Sequence, residues 1–134
     1  MEQVRGNVLI IEDDSDCGEM CSTILINAGY GVRWVRSRDA ALKAMEMYLY
    51  QLLLLDYSMP GMGVAEFLNV CRARADTIIL MSAVVDPFHE SQRLGIHYYL
   101  RKPFSPEELV AHVRGISSGI LKQSTMSHKP KASR

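Results

Sequence analysis

Residues 52–60 read Leu-Leu-Leu-Leu-Asp-Tyr-Ser-Met-Pro, four leucines running straight into one carboxylate. A continuous apolar run of this length, bounded by turn-forming residues, fits a strand buried on both faces. Pro60 and Gly61 then end regular structure. Asp56 therefore stands where a buried strand emerges into a loop, and in an open parallel sheet that carboxyl end is where ligands and chemistry gather. Taken alone, such an aspartate is as readily a turn cap. Its meaning depends on what the other strands deliver beside it.

A second all-apolar run, Val8-Leu9-Ile10-Ile11, ends in three acids, Glu12-Asp13-Asp14. Asp14 or Ser15 caps a helix expected to reach about Ala28, with Met20, Ile24 and Leu25 on its inner face, closed by Gly29-Tyr30-Gly31. Val32 to Val35 is a short strand. Ser37 opens a helix with Ala41, Leu42, Met45 and Leu49 at helical spacing, ending near Tyr50. Beyond the leucine strand, Val64 to Ala73 forms a helix, and Thr77 to Met81 is a fourth strand ending at Ser82-Ala83. Asp86-Pro87 is an N-cap followed by proline at the first helical position, starting a helix to about Leu94. Tyr98 to Leu100 is a fifth strand, leading into Arg101-Lys102-Pro103. Ser105 and Glu108 form a capping box that opens the last helix. Strand and helix alternate five times through short connections, which predicts an α/β fold with a parallel sheet covered by helices on both faces.

The chain has 134 residues, 48% of them hydrophobic, enough for one domain with its own core. Fifteen basic and fifteen acidic side chains cancel, which gives no argument for a nucleic-acid or acidic-membrane surface. Three cysteines, Cys17, Cys21 and Cys71, are an odd and sparse set that suits a reducing compartment. Cys17 and Cys21 share a helix face and lack further ligands at metal-binding spacing, so they read as packing residues. No stretch resembles a signal peptide or a membrane span, and the expected location is cytoplasmic. The expected domain covers residues 1–121, followed by a flexible, mildly basic tail at 122–134.

The carboxyl ends of the strands carry the argument. Strand one delivers Glu12 and Asp13, strand three Asp56, strand four Ser82 and strand five Lys102. In a parallel sheet these ends share one edge. Three carboxylates there repel one another, and a hard divalent cation with oxygen ligands relieves them. Counting charges, a divalent ion and one lysine neutralise three carboxylates, which fits magnesium; softer metals would want nitrogen or sulfur. Such a site suits phosphoryl transfer, with an aspartate as nucleophile and its surroundings positioning and neutralising the transferred group. Lys102 and the metal meet the phosphoryl oxygens, Ser82 donates a hydrogen bond, and the Tyr57 and Ala83 N–H groups complete the cradle.

The set Glu12-Asp13, Asp56 with Met59-Pro60, Ser82-Ala83 and Lys102-Pro103-Phe104 resembles the receiver domain of bacterial two-component response regulators, including the chemotaxis regulators. The resemblance spans about residues 6–121 and rests on five motifs in order. It implies a flavodoxin-like, doubly wound five-stranded parallel sheet of order 2-1-3-4-5. It also implies Asp56 as phosphoacceptor, Mg2+ held by Glu12, Asp13, Asp56 and the Ser58 carbonyl, and phosphoryl contacts from Ser82 and Lys102. Tyr99 falls at the family's aromatic switch position. The implied function is a phosphorylation-dependent switch in a phosphorelay, with only autocatalytic phosphotransfer and self-dephosphorylation. Implied partners are a histidine kinase or phosphotransfer protein and an unknown output domain or effector, reached through the fourth helix, fifth strand and fifth helix. Dimerisation on phosphorylation belongs to the same picture; direct nucleic-acid or membrane binding does not.

The chain departs from the family after the Met-Pro loop. Gly63-Val64 stands where Asp-Gly or Asn-Gly is usual, which leaves the cap of the third helix and the loop over the site open. A magnesium-dependent phosphohydrolase with an aspartyl-phosphate intermediate is the competing enzyme, but it usually needs a second acid where Ser58 stands. A flavin-binding or structural domain on the same architecture meets acids where a phosphate loop belongs. A receiver-like module working by contacts alone is the remaining alternative.

Overall fold

A computed structural model describes residues 6–72, 75–83 and 87–117. The elements alternate as β1 (Asn7–Ile11), α1 (Ser15–Asn27), β2 (Gly31–Val35), α2 (Arg38–Met47), β3 (Tyr50–Asp56), α3 (Val64–Cys71), β4 (Ala75–Ser82), α4 (Pro87–Leu94), β5 (Tyr98–Arg101) and α5 (Pro106–Ser117). Every strand pair is parallel, and the sheet order is β2-β1-β3-β4-β5. The doubly wound arrangement expected from the sequence is the one present.

The leucine run shows why both faces of β3 are apolar. Side chains alternate across a strand, so Leu52 and Leu54 join Val8, Ile10, Ile79 and Met81 beneath α1 and α5. Leu53 and Leu55 join Leu9, Ile11 and Leu80 on the opposite face, beneath α2, α3 and the end of α4. Leu53, Leu54 and Leu55 are fully buried. Burying each such side chain is worth about 1.5–3 kcal/mol.

Helix ends follow local chemistry. The Asp14 carboxylate caps α1 by accepting from the Cys17 N–H at 2.8 Å, and Ser37 caps α2 through the Ala40 N–H at 3.0 Å. The Ser105–Glu108 capping box forms in both directions, at 2.8 and 3.1 Å. Gly29 closes α1 with φ 102°, and the Tyr30 N–H reaches back to the Leu25 carbonyl. Gly95 closes α4 in the same way, with φ 73° and an Ile96-to-Ser91 bond. Both closures require the left-handed conformation that glycine adopts freely.

Three expectations need correction. The second helix does not run to Tyr50 but stops at Met47, and Leu49, expected on its inner face, is 83% exposed. Tyr50 instead pairs with Ala75 at the start of β3 and is buried there. Sheet pairing overrides a helical periodicity that no glycine or proline interrupts. Met20 is 37% exposed rather than on the inner face, and the inner stripe of α1 is Cys21 and Leu25, with Cys17 and Ile24 partly covered. β4 starts two residues earlier than expected, at Ala75. The Asp86 cap, the boundary at 121 and the tail at 122–134 lie outside the described residues.

Candidate functional site

Register brings the strand ends together. Ile11 is paired with both Val35 and Leu55, Asp56 with Met81, and Ser82 with Arg101. Glu12, Asp56, Ser82 and Lys102 therefore leave or follow their strands at nearly the same level. β1 and β3 are neighbours although β2 lies between them in sequence. The site thus opens at the point where the winding of the sheet reverses, the usual binding crevice of this architecture.

The Lys102 ammonium is the hub. Nζ lies 2.7 Å from Glu12 Oε1 and 3.2 Å from Asp56 Oδ1, joining segments 90 and 46 residues away in sequence. Glu12 and Asp56 are almost wholly buried, at 1% and 4% exposure. Asp13 is the most accessible of the acids. Ligand oxygens of Glu12, Asp13 and Asp56 all lie within 4.8 Å of one another, an all-oxygen set able to hold a metal ion. Three carboxylates against one ammonium leave two negative charges, which matches a hard divalent cation.

Electrostatics separate the two buried acids. Burial, then the hydrogen bond and charge of Glu12, push the Asp56 carboxyl up to about 6, with Lys102 opposing. Burial also raises Glu12, but hydrogen bonds, led by the one from Lys102, outweigh it and hold Glu12 below the usual carboxylate range. Burial works against the Lys102 ammonium, yet Glu12 and Asp56 leave its pKa raised. The most strongly perturbed carboxylate is thus the one at the end of the leucine strand. Such a shift, in a cleft beside specific partners, marks functional sites.

Around this centre, Ser82 is 1% exposed, and its carbonyl accepts the Lys102 N–H at 2.8 Å. The peptide joining Lys102 to Pro103 is cis. Ser58, expected to offer its carbonyl, lies exposed two residues beyond Asp56. The Tyr57 N–H, expected in the cradle, is committed instead to the Met81 carbonyl at 2.8 Å, because pairing of β3 with β4 continues one residue past Asp56. Tyr99 is half-buried on the face of α2–α4, its ring centroid 6.1 Å from that of Phe88.

Three supporting contacts escaped sequence reasoning. Trp34 Nε1 donates to the Glu12 carbonyl at 2.8 Å. The Tyr57 hydroxyl donates to Glu90 on α4 at 2.9 Å. Arg38, at the start of α2, is 2% exposed and reaches the loop after β3. Only Arg38 left a trace in the sequence. It is a cation in the first turn of a helix, where the dipole favours acids.

This chain belongs to the response regulator receiver domain family of two-component systems, whose family model matches residues 8–114. It is similar to the DNA-binding response regulator MtrA of Mycobacterium tuberculosis, 32% identical over 117 residues, covering 85% of this chain and 51% of that protein. The chain thus spans about half the length of the curated relatives it matches. Among solved structures, the chemotaxis response regulator CheY4 of Vibrio cholerae aligns with a TM-score of 0.75 and 26% identity, covering 83% of this chain and 98% of that one. The signal receiver domain of a signal transduction histidine kinase from Syntrophus aciditrophicus aligns with a TM-score of 0.75 and 26% identity, covering 86% and 92%. Among the described residues no helix is long and apolar enough to cross a membrane.

Proposed function

We propose that this receiver domain is a phosphorylation-dependent switch in which Asp56 accepts a phosphoryl group from a histidine kinase or phosphotransfer protein. The observation that carries the reading is the Lys102 ammonium shared between Glu12 and Asp56 at 2.7 and 3.2 Å. It places a fixed cation against the one acid whose charge is least tolerated. An oxygen of the Asp56 carboxylate attacks phosphorus as the bond to the donor nitrogen or acyl oxygen breaks, and water later hydrolyses the acyl phosphate.

Glu12, Asp13, Asp56 and the Ser58 carbonyl are the residues that would hold Mg2+, whose bound charge offsets the phosphoryl oxygens. The protein's own groups do the rest. Lys102 neutralises charge on the transferred group, Ser82 offers it a hydroxyl, and the buried walls of β1 and β3 limit water. Phosphorylation then biases α4, β5 and α5, where Tyr99 packs on Phe88, toward a second arrangement read by an output domain or effector.

The test is labelling by acetyl phosphate with Mg2+, followed by intact mass. Wild-type chain gains one phosphoryl group and Asp56→Asn gains none. Equal labelling of the Asn variant overturns the assignment. Lys102→Ala is expected to slow labelling by about 10²-fold, the scale of losing one charge-stabilising donor.

A further inference from the structure

The Arg38 side chain has no place in the chemistry described so far, yet it is among the most costly residues in the molecule to bury. A charged guanidinium withdrawn from water needs compensation, and the positive end of its own helix opposes it. Its Nη2 donates to the carbonyls of Asp56 and Tyr57 at 3.1 and 2.9 Å. Its Nη1 donates to those of Met62 at 2.5 Å and, more weakly, Met59 at 3.4 Å. Four carbonyls of the 56–62 segment thus converge on one side chain from α2. The buried Nε has no hydrogen-bond partner among the described residues.

We infer that Arg38 is a positioning residue that holds the acceptor loop in the shape needed to present the Ser58 carbonyl to the metal. This rests on the functional reading above. The guanidinium takes the carbonyls on both sides of Ser58, at Tyr57 and Met59, but not that of Ser58 itself. The need for such a clamp follows from the next helix. Gly63 caps α3 without any side-chain hydrogen bond, so the far end of the loop is not fastened from within. Arg38 supplies the missing fastening from across the sheet edge, by its bond to Met62.

The charge and the geometry of Arg38 predict opposite outcomes, which makes the inference testable. A cation near Asp56 and Asp13 opposes Mg2+, so its removal should tighten metal binding if charge were all that mattered. If Arg38 shapes the loop, removal weakens binding, with the 10–100-fold loss typical of residues that orient metal ligands (about that range). The experiment titrates Mg2+ into the full chain, following fluorescence of Trp34, which is bonded to the Glu12 carbonyl. Arg38→Met is expected to lose affinity about tenfold or more. Arg38→Lys keeps the charge but cannot span four carbonyls from one nitrogen, and it is expected to lose nearly as much. The lysine variant also serves where the methionine variant does not fold.

Val113→Ala, a core truncation in α5, controls for lost stability and should leave Mg2+ affinity within about twofold, since distant sites act independently. Wild-type affinity, or tighter binding, in the Arg38 variants overturns the positioning role while leaving the functional reading intact. A wild-type chain that binds Mg2+ but is not labelled overturns phosphoacceptance and leaves the Arg38 comparison valid. A wild-type chain that binds no Mg2+ overturns both.

Discussion

At the scale of single residues, Asp56 is held in a state that costs the fold. A carboxyl raised from 3.8 to about 6 binds its proton more tightly in the folded chain than in the unfolded one. Without metal, stability therefore falls as pH climbs from about 3.8 through about 6, and stays lower above that window. Asp56→Asn removes the penalty and should stabilise the metal-free protein at pH 7 by about 1–3 kcal/mol, read as a rise in urea midpoint. An unchanged or lower midpoint would contradict it. The same proton competes with the cation, so Mg2+ affinity should fall up to about tenfold per pH unit below pH ~6. Gly18 makes a further prediction at this scale. A Cβ there would lie 2.1 Å from the Trp34 ring, so Gly18→Ala must displace the indole that bonds the Glu12 carbonyl. The expected cost is about 1–3 kcal/mol, with a changed Trp34 emission. These predictions concern residues whose identity is plain in the sequence but whose neighbours are not.

At the scale of elements, the residue that follows β3 is hydrogen-bonded to α4. The Tyr57 hydroxyl donates to Glu90, which also binds Arg93 one turn along α4 at 2.8 Å. The residue next to Asp56 is thus tied to α4, the helix that the proposed function places at the output face. Tyr57→Phe should cost at most about 1 kcal/mol globally, while amide exchange in α4 speeds up selectively; uniform exchange rates would sink the coupling. Ser82→Ala should leave Asp56 labelled while shrinking the shift of Phe88 and Tyr99 resonances on phosphorylation. An undiminished shift would remove Ser82 from the relay. Elements and strand ends were legible because alternating apolar runs, caps and glycine stops are local signals. The Tyr57–Glu90 bond and the Arg38 clamp were not, because each joins elements whose closeness only the sheet order determines. The end of α2 failed for a related reason. Leu49 satisfies helical spacing as well as any core residue, and only pairing of Tyr50 with Ala75 draws the chain away.

At the scale of the whole molecule, two apolar layers share one sheet and meet at β1, β3 and β4. Leu54 belongs to the layer under α1 and α5, and Leu55 to the layer under α2 and α3. Leu54→Ala should cost about 2–5 kcal/mol in equilibrium unfolding, and the single transition expected of a domain this size should persist. Because β3 belongs to both layers, loosening one exposes the other. Two transitions would mean the layers unfold separately.

Four identical leucines have a further consequence. Sliding β3 by one position between its neighbours would still set leucine against isoleucine on both sides, so hydrophobic matching does little to choose among alignments. The polar residues flanking the run choose instead. A shift one way forces Asp56 into the oily interior away from Lys102, and a shift the other way draws in Gln51, which is exposed in the native pairing. The carboxylate assigned to chemistry is therefore also a spelling check on assembly, disfavouring mis-threaded pairings.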